Sequence, residues 1–167
     1  LTELDRLSEI VARAMRLSRI ETGGELLEIA PQEPGRLLQS ALLHVAPLAE
    51  VAGVRLEDAS EPQLPAVRAD FERVIEVLTV LLDNAIKFSP PAGLITVRGS
   101  LDAARPAFVT FEVRDQGPGV LPGERERGFE RLYTGDPARA TTGDRAGFGL
   151  GLAIARHLIA RHGGQIW

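Results

Sequence analysis

Between Asp70 and Asp115 the chain allows few alternatives. Asp70 suits a helix N-cap, and the residues from Phe71 to Phe88 follow a helical repeat until the Pro90-Pro91 pair stops it. Leu78, Leu81, Leu82, Ala85 and Ile86 can face a core, while Asn84, Lys87 and Phe88, three and four residues apart, share a neighbouring edge. After the prolines, "LITVRGSL" (94–101) and "AFVTFEVRD" (107–115) alternate apolar and polar residues. That period of two predicts antiparallel strands joined around "DAARP".

Around this centre the reading is coarser. Residues 1 to about 22 predict a helix with Leu4, Leu7, Val11, Ala14 and Ser18 on one stripe, widened by Ile10 and Leu17 and ended by Gly23 and Gly24. Such a stripe suits a helix packed on its own domain, a helical bundle or a dimer. "APQEPGR" (30–36) reads as a boundary, followed by a helix over 37–52, a strand at "VRLED" (54–58) and a loop at "SEPQLPAVRAD" (60–70). Beyond Gln116 we expect a glycine- and proline-rich turn and a short helical piece over 124–132. A loop follows at "TGDPARATTGDRA" (134–146), then a helix from about Leu150 to His162. "GGQIW" (163–167) reads as the start of a strand.

Composition narrows the chemistry. The 167 residues are 44% hydrophobic, enough to bury a core, and they contain no cysteine. Disulfides, thiolate zinc sites and a cysteine nucleophile are therefore out. A net charge of −4 argues against broad nucleic-acid binding. No apolar run is long enough to cross a membrane and no signal peptide opens the chain, so it reads as a soluble piece. His157 and His162 lie five apart, about 140° around a helix, a poor arrangement for a shared metal, and His44 reads as an ordinary helix residue.

Three segments can carry chemistry. An amide, a cation and a ring on one helix edge (Asn84, Lys87, Phe88) can meet a metal-bound phosphate and an adenine, or simply rim a core helix. In "VRDQGPGV" (113–120), Asp115 ends a strand before Gly117 and Gly119. It can accept from a purine amino group, or it can be an ordinary acidic turn. In "GFGLGLAIARH" (147–157), Gly147, Gly149 and Gly151 precede a helix ridged by Leu150, Ile154 and Leu158. Free N–H groups at a helix start bind anions, although tight packing explains the glycines equally well. The spacing is neither a dinucleotide-binding fingerprint nor a P-loop.

In this order, and with "ERGFERLYTGD" (126–136) between the second and third, the segments resemble the N, G1, F and G2 boxes of bacterial sensor histidine kinases. These belong to the wider ATPase group of gyrase, the Hsp90 chaperones and MutL. "LSRIETG" (17–23) resembles the end of the second helix of the kinase dimerisation and phosphotransfer domain. The resemblance implies an α+β fold, a two-layer α/β sandwich with a mixed, largely antiparallel sheet under helices, preceded by a long amphipathic helix. Residues 1–30 would end the dimerisation domain and supply the linker. Residues 31–167 would form the catalytic ATP-binding domain without its last strands.

The same resemblance implies ATP and Mg²⁺ as ligands. Asn84 would hold the Mg²⁺ and, with Lys87 near the phosphates, act in catalysis. Phe88 would lie beside the nucleotide, and Asp115 would accept from the adenine amino group. Gly117, Gly119 and Val120 would shape the base pocket, Phe129 would anchor the loop after it, and Gly147, Gly149 and Gly151 would offer backbone to the phosphates. Leu150 would belong to the same binding segment, and Leu152 would line the adenine pocket. The implied activity is transfer of the γ-phosphate to a histidine outside this chain, which has no His-acidic phosphoacceptor motif. The implied partners are the protein's own dimerisation domain, a response regulator and a second copy joined through the first helix. The implied setting is cytoplasmic, in a parent protein that can be anchored in the inner membrane, with no direct membrane contact by this fragment and no nucleic-acid contact. Three residues depart from the family pattern: Val80 stands where gyrase-like ATPases carry a base glutamate, Thr134 where arginine is frequent and Phe148 where a polar residue is common. A degenerate module that docks a partner without catalysis is the alternative reading.

Overall fold

The helix expected after Asp70 forms with both expected ends, Phe71–Phe88, in the computed structural model, which describes residues 11, 12, 15, 26–131, 133 and 149–167. Two compact units divide the chain: Glu28–Gly119, and Leu1–Leu27 with Val120–Trp167.

The first unit runs β1 (Ala30–Gln32), α1 (Pro34–Ala52), β2 (Arg55–Asp58), β3 (Val67–Ala69), α2 (Phe71–Phe88), β4 (Leu94–Leu101) and β5 (Val109–Arg114). β4 occupies the centre of a three-stranded sheet, parallel to β2 and antiparallel to β5. Its inward positions Ile95 and Val97 are fully buried, as the two-residue alternation requires. On them pack Leu37, Leu38, Ala41, Val45 and Ala49 of α1 with Val74, Ile75, Leu78, Leu82 and Ile86 of α2. Gly99 continues the inward face; a Cβ there would stand 3.0 Å from Leu64 Cδ1 and 3.2 Å from Leu38 Cδ1. The missing side chain lets α1 lie close to the sheet. Helices over a mixed sheet make the two-layer α/β sandwich.

Local chemistry sets the helix ends. α1 starts at Pro34 rather than Leu37, because proline at a first helical position loses no hydrogen bond and has its φ already set. It ends at Gly53, whose φ of 67° is left-handed. Pro47 sits inside α1 on its exposed side, where the carbonyl it leaves without a partner can face water. α2 has Asp70 as its N-cap, the carboxylate accepting from Arg73 N at 3.1 Å. Ser89 N donates to Ala85 O at 3.0 Å at its other end.

Three expectations change. The stretch read as a loop contains β3, which pairs antiparallel with β1 in the register Ala30↔Ala69. Each strand has three residues, too few for a visible alternation, and Pro31 is tolerated because, among the described residues, no further strand pairs with this ribbon. The short helix over 124–132 is instead two 3₁₀ turns, Pro122–Glu124 and Arg127–Phe129. Gly123 and Gly128 disfavour a continuous α-helix there. Residues 164–167 belong to no strand; among the described residues every ladder joins β1 to β5 with one another.

In the second unit α3 spans Gly151–Arg161, with Leu150 as its N-cap residue and Ala153, Ile154, Ala155 and Leu158 buried. Val11, Ala12 and Met15 are helical and exposed; the rest of the expected first helix lies outside the described residues. So do residues 134–148, which hold the expected loop, Thr134, Gly147 and Phe148.

Candidate functional site

α2 carries its polar edge into its last two turns. Asn84 and Lys87 are half-buried there, and Phe88 is 37% exposed. The Lys87 ammonium lies 5.0 Å from the centre of the Phe88 ring, a cation–π distance. Burial holds Lys87 below the usual lysine range, and Asp83, one turn back, opposes that shift only in part. A half-buried cation so placed gains from an anion that replaces its lost hydration.

β5 delivers the second segment to the same place. Asp115 follows its last residue, and the Asp115 carboxylate accepts from Gly117 N at 2.7 Å, closing a tight turn. Gly117 then lies flush against the end of α2. A Cβ on it would be 2.7 Å from the Phe88 carbonyl oxygen and 2.8 Å from Asp115 Oδ1, so only glycine fits. Gly119, with φ 70°, turns the chain away through a left-handed conformation. Gln116 Oε1 accepts from Leu94 N at 2.9 Å, tying the turn to the start of β4. Asn84, Lys87, Phe88, Asp115 and Gly117, separated by up to 33 positions in sequence, thus gather where α2 ends and β5 exits.

Sequence reasoning passed over Gln116 and Ser89 here. Gln116 has no spacing signal, because it acts through one side-chain bond to a distant backbone. The Ser89 hydroxyl is buried without a hydrogen-bond partner among the described residues, directly after Phe88.

The remaining candidates lie in the second unit. Gly149 has φ 64°, and Leu150 is buried, its carbonyl accepting from Ile154 N at 3.0 Å in the first turn of α3. Gly151 and Leu152 are half-buried in that turn, and Val120 is 59% exposed. Phe129 is half-buried beneath Arg156 of α3, the guanidinium 5.5 Å from the ring centre, while Arg156 also reaches Glu126 at 3.5 Å. Gly147 lies outside the described residues.

Other features are not gathered at these residues. Among the described residues no three His, Cys, Asp or Glu side chains group as metal ligands. His44 Nδ1 lies 3.0 Å from the Ser40 carbonyl oxygen, and His162 Nδ1 lies 2.7 Å from that of Leu158. A cavity of about 340 Å³ opens at the other end of α2, beside Asp70 and Phe71, and none of the candidate residues lines it.

Residues 69–167 match the family model described as histidine kinase-, DNA gyrase B- and HSP90-like ATPase. The chain belongs to this family. Among curated relatives, the adaptive-response sensory kinase SasA of Nostoc sp. is 34% identical over 168 residues, covering 99% of this chain and 40% of the relative. The sensor protein SphS of Synechococcus elongatus is 36% identical over 172 residues, covering 99% and 40%. The sensor-like histidine kinase SenX3 of Mycobacterium tuberculosis is 32% identical over 167 residues, covering 99% and 39%. The chain therefore spans about two fifths of the length of these relatives.

Solved structures agree with the family's fold. Full-length ShkA in complex with AMPPNP superposes with a TM-score of 0.77 at 31% identity, over 93% of this chain and 31% of that one. The mycobacterial sensor histidine kinase MprB gives 0.67 at 29% identity, over 81% and 80%. The mixed sheet under helices is thus the architecture of this ATPase family.

Proposed function

We propose that this chain is the ATP-binding catalytic part of a sensor histidine kinase, transferring the γ-phosphate of MgATP to a histidine that lies outside it. The observation that carries the proposal is the seat of Gly117 on the Phe88 carbonyl. It sets a carboxylate, a half-buried cation and an exposed ring around one helix end, the mixture that an adenine and its phosphates require. The family match, and the likeness to ShkA in complex with AMPPNP, support the same reading.

In this reading Asp115 accepts from the adenine amino group and Gly117 and Gly119 let the base approach the backbone. Phe88 gives it apolar surface, and for Val120 and Leu152 of the second unit we keep the base-pocket roles that the resemblance implies. Lys87 faces the phosphates; in the second unit Gly149, Leu150 and Gly151 offer backbone N–H donors at the start of α3, and Gly147 takes the phosphate role that the resemblance implies. Phe129 anchors the segment that follows it. Asn84 offers one neutral amide oxygen, which fits Mg²⁺, an ion that takes few protein ligands and completes its shell with phosphate and water. Bound there, Mg²⁺ neutralises charge that develops on the phosphate oxygens.

The acceptor imidazole is itself the nucleophile. Its nitrogen forms the new bond to the γ-phosphorus as the bond to the β–γ bridging oxygen breaks, and the electron pair leaves with ADP. Lys87 stabilises the charge on the transferring and leaving oxygens. No water has to be activated, so the catalytic part needs position and charge rather than a base. Val80, half-buried on α2 where a hydrolase would need a carboxylate, fits transfer better than hydrolysis.

The proposal extends to organisation. Residues 1–30 end a dimerisation and phosphotransfer domain and link it to a catalytic domain over 31–167. The protein pairs with a second copy through the first helix and passes its phosphate to a response regulator. No described helix is long and apolar enough to cross a membrane, and we place the domain on the cytoplasmic side. The test uses labelled ATP. The chain alone forms no acid-labile phosphohistidine, whereas the full-length protein does and loses it with Asn84→Ala. Full labelling of the Asn84→Ala protein would contradict the assignment.

A further inference from the structure

Asp70 is the one buried charged residue among the described residues, with 7% of its surface exposed. Its two carboxylate oxygens face different partners. Oδ1 accepts from Arg73 N at 3.1 Å and caps α2, while Oδ2 accepts from Glu28 N at 2.8 Å, 42 residues away in sequence. Capping alone does not require aspartate, since serine and threonine cap with a single oxygen. The second bond does require it, because only a carboxylate has an oxygen to spare for Glu28.

The bridge closes a set of fasteners at one place. Two residues after Glu28, β1 pairs with β3 from Ala30↔Ala69 to Gln32↔Val67, and Asp70 directly follows that ladder. At the start of α1, the Arg36 guanidinium stacks 5.0 Å from the Phe71 ring centre. The segment 28–36 is therefore pinned at three points to the β3–α2 junction. α2 has neither glycine nor proline between Phe71 and Phe88. It can act as one stiff rod, with Asn84 about 21 Å from Asp70 at 1.5 Å per residue.

We propose that Asp70 is a positioning residue that fixes the incoming segment at Glu28 to the first turn of α2. It thereby sets the orientation of the Asn84–Lys87–Phe88 edge at the far end. The proposal rests on the nucleotide reading of that edge. It gives the incoming segment a direct mechanical hold on the site.

Two substitutions break the bridge from opposite sides and leave the cap in place. Asp70→Ser keeps an oxygen for Arg73 N and gives up Glu28, and Glu28→Pro removes the N–H donor. Each is compared with the parent chain by melting temperature, by hydrogen exchange over 28–32 and by titration with a non-hydrolysable ATP analogue. We expect faster exchange over 28–32 and affinity about three- to tenfold weaker in each, less than the full loss of a hydrogen bond to a charged group because only part of it is transmitted to the far end of α2. The double variant should lose little more than either single one. A local structural role would shift melting and exchange but leave the affinity of the folded protein unchanged, and that result overturns the proposal. So does a double variant whose losses simply add. If the parent chain itself fails to bind the analogue, the nucleotide reading falls, and exchange at Glu28 still reports separately whether the bridge exists.

Discussion

Gly117 and Phe88 are packed so closely that a methyl group on the glycine would stand 2.7 Å from the Phe88 carbonyl oxygen. Backbone cannot yield as a flexible side chain can, so the turn after β5 must shift or α2 must fray. Gly117→Ala should cost about 1–3 kcal/mol of stability, the usual cost of overpacking. It should weaken nucleotide binding about tenfold or more, since a loss of 1.4 kcal/mol is tenfold in affinity. Denaturant unfolding and calorimetric titration of the same preparation check both numbers.

Gly119 and Gly53 make a controlled pair. Both have left-handed φ, 70° and 67°, and neither has a neighbour that a Cβ would strike. Alanine at either position should therefore cost about 1–2 kcal/mol from backbone conformation alone. Only Gly119→Ala should also lower nucleotide affinity, because Gly53 is none of the candidate residues; its carbonyl accepts from Ala92 N at 2.9 Å in the turn after α2. Equal affinity in the two variants would remove Gly119 from the site.

Lys87 should trade stability for binding. Burial holds its pKa below the usual lysine value in the folded chain, so folding disfavours its charged form. The sign follows from linkage: the unfolded chain binds the proton more tightly, so stability rises as pH climbs from below the folded pKa toward the unfolded one. Below the folded pKa both states are protonated and the unfavourable term is fully present. Lys87→Met should thus melt no lower than the parent at pH 7, while its ATP affinity falls about tenfold through loss of a charged hydrogen-bonding partner. The parent should also take up protons when it binds nucleotide at alkaline pH, a heat that varies with the buffer's ionisation enthalpy.

Leu82 is fully buried between α2 and the sheet and carries no candidate role. Leu82→Ala should destabilise by about 2–5 kcal/mol through the cavity it leaves. Affinity measured well below its melting temperature should stay near that of the parent, separating a core loss from a site loss.

The parts legible in sequence were those with a period or a punctuation mark. α2 and β4 have the expected ends because Asp70, Pro90-Pro91 and an eight-residue alternation each act locally. The β1–β3 ribbon escaped because strands of three residues carry no period, and what makes them strands is a partner more than thirty positions away. The candidate site was legible as a series of motifs. That Asp115 and Gly117 meet the end of α2 required the fold, since nothing in "DQGPG" names Phe88 as its neighbour. Asp70 was legible as a cap and illegible as a bridge for the same reason: one of its bonds reaches three residues and the other forty-two.

The central claim is that Asp115 reads an adenine at the end of α2. Its most direct test is titration of the chain with a non-hydrolysable ATP analogue in Mg²⁺, with and without Asp115→Asn. The side chains are nearly equal in size, but the amide offers one acceptor oxygen where the carboxylate offers two and carries no charge. The account predicts an affinity lower by about tenfold or more, from losing a charge-assisted hydrogen bond. Equal affinity in parent and variant would contradict it.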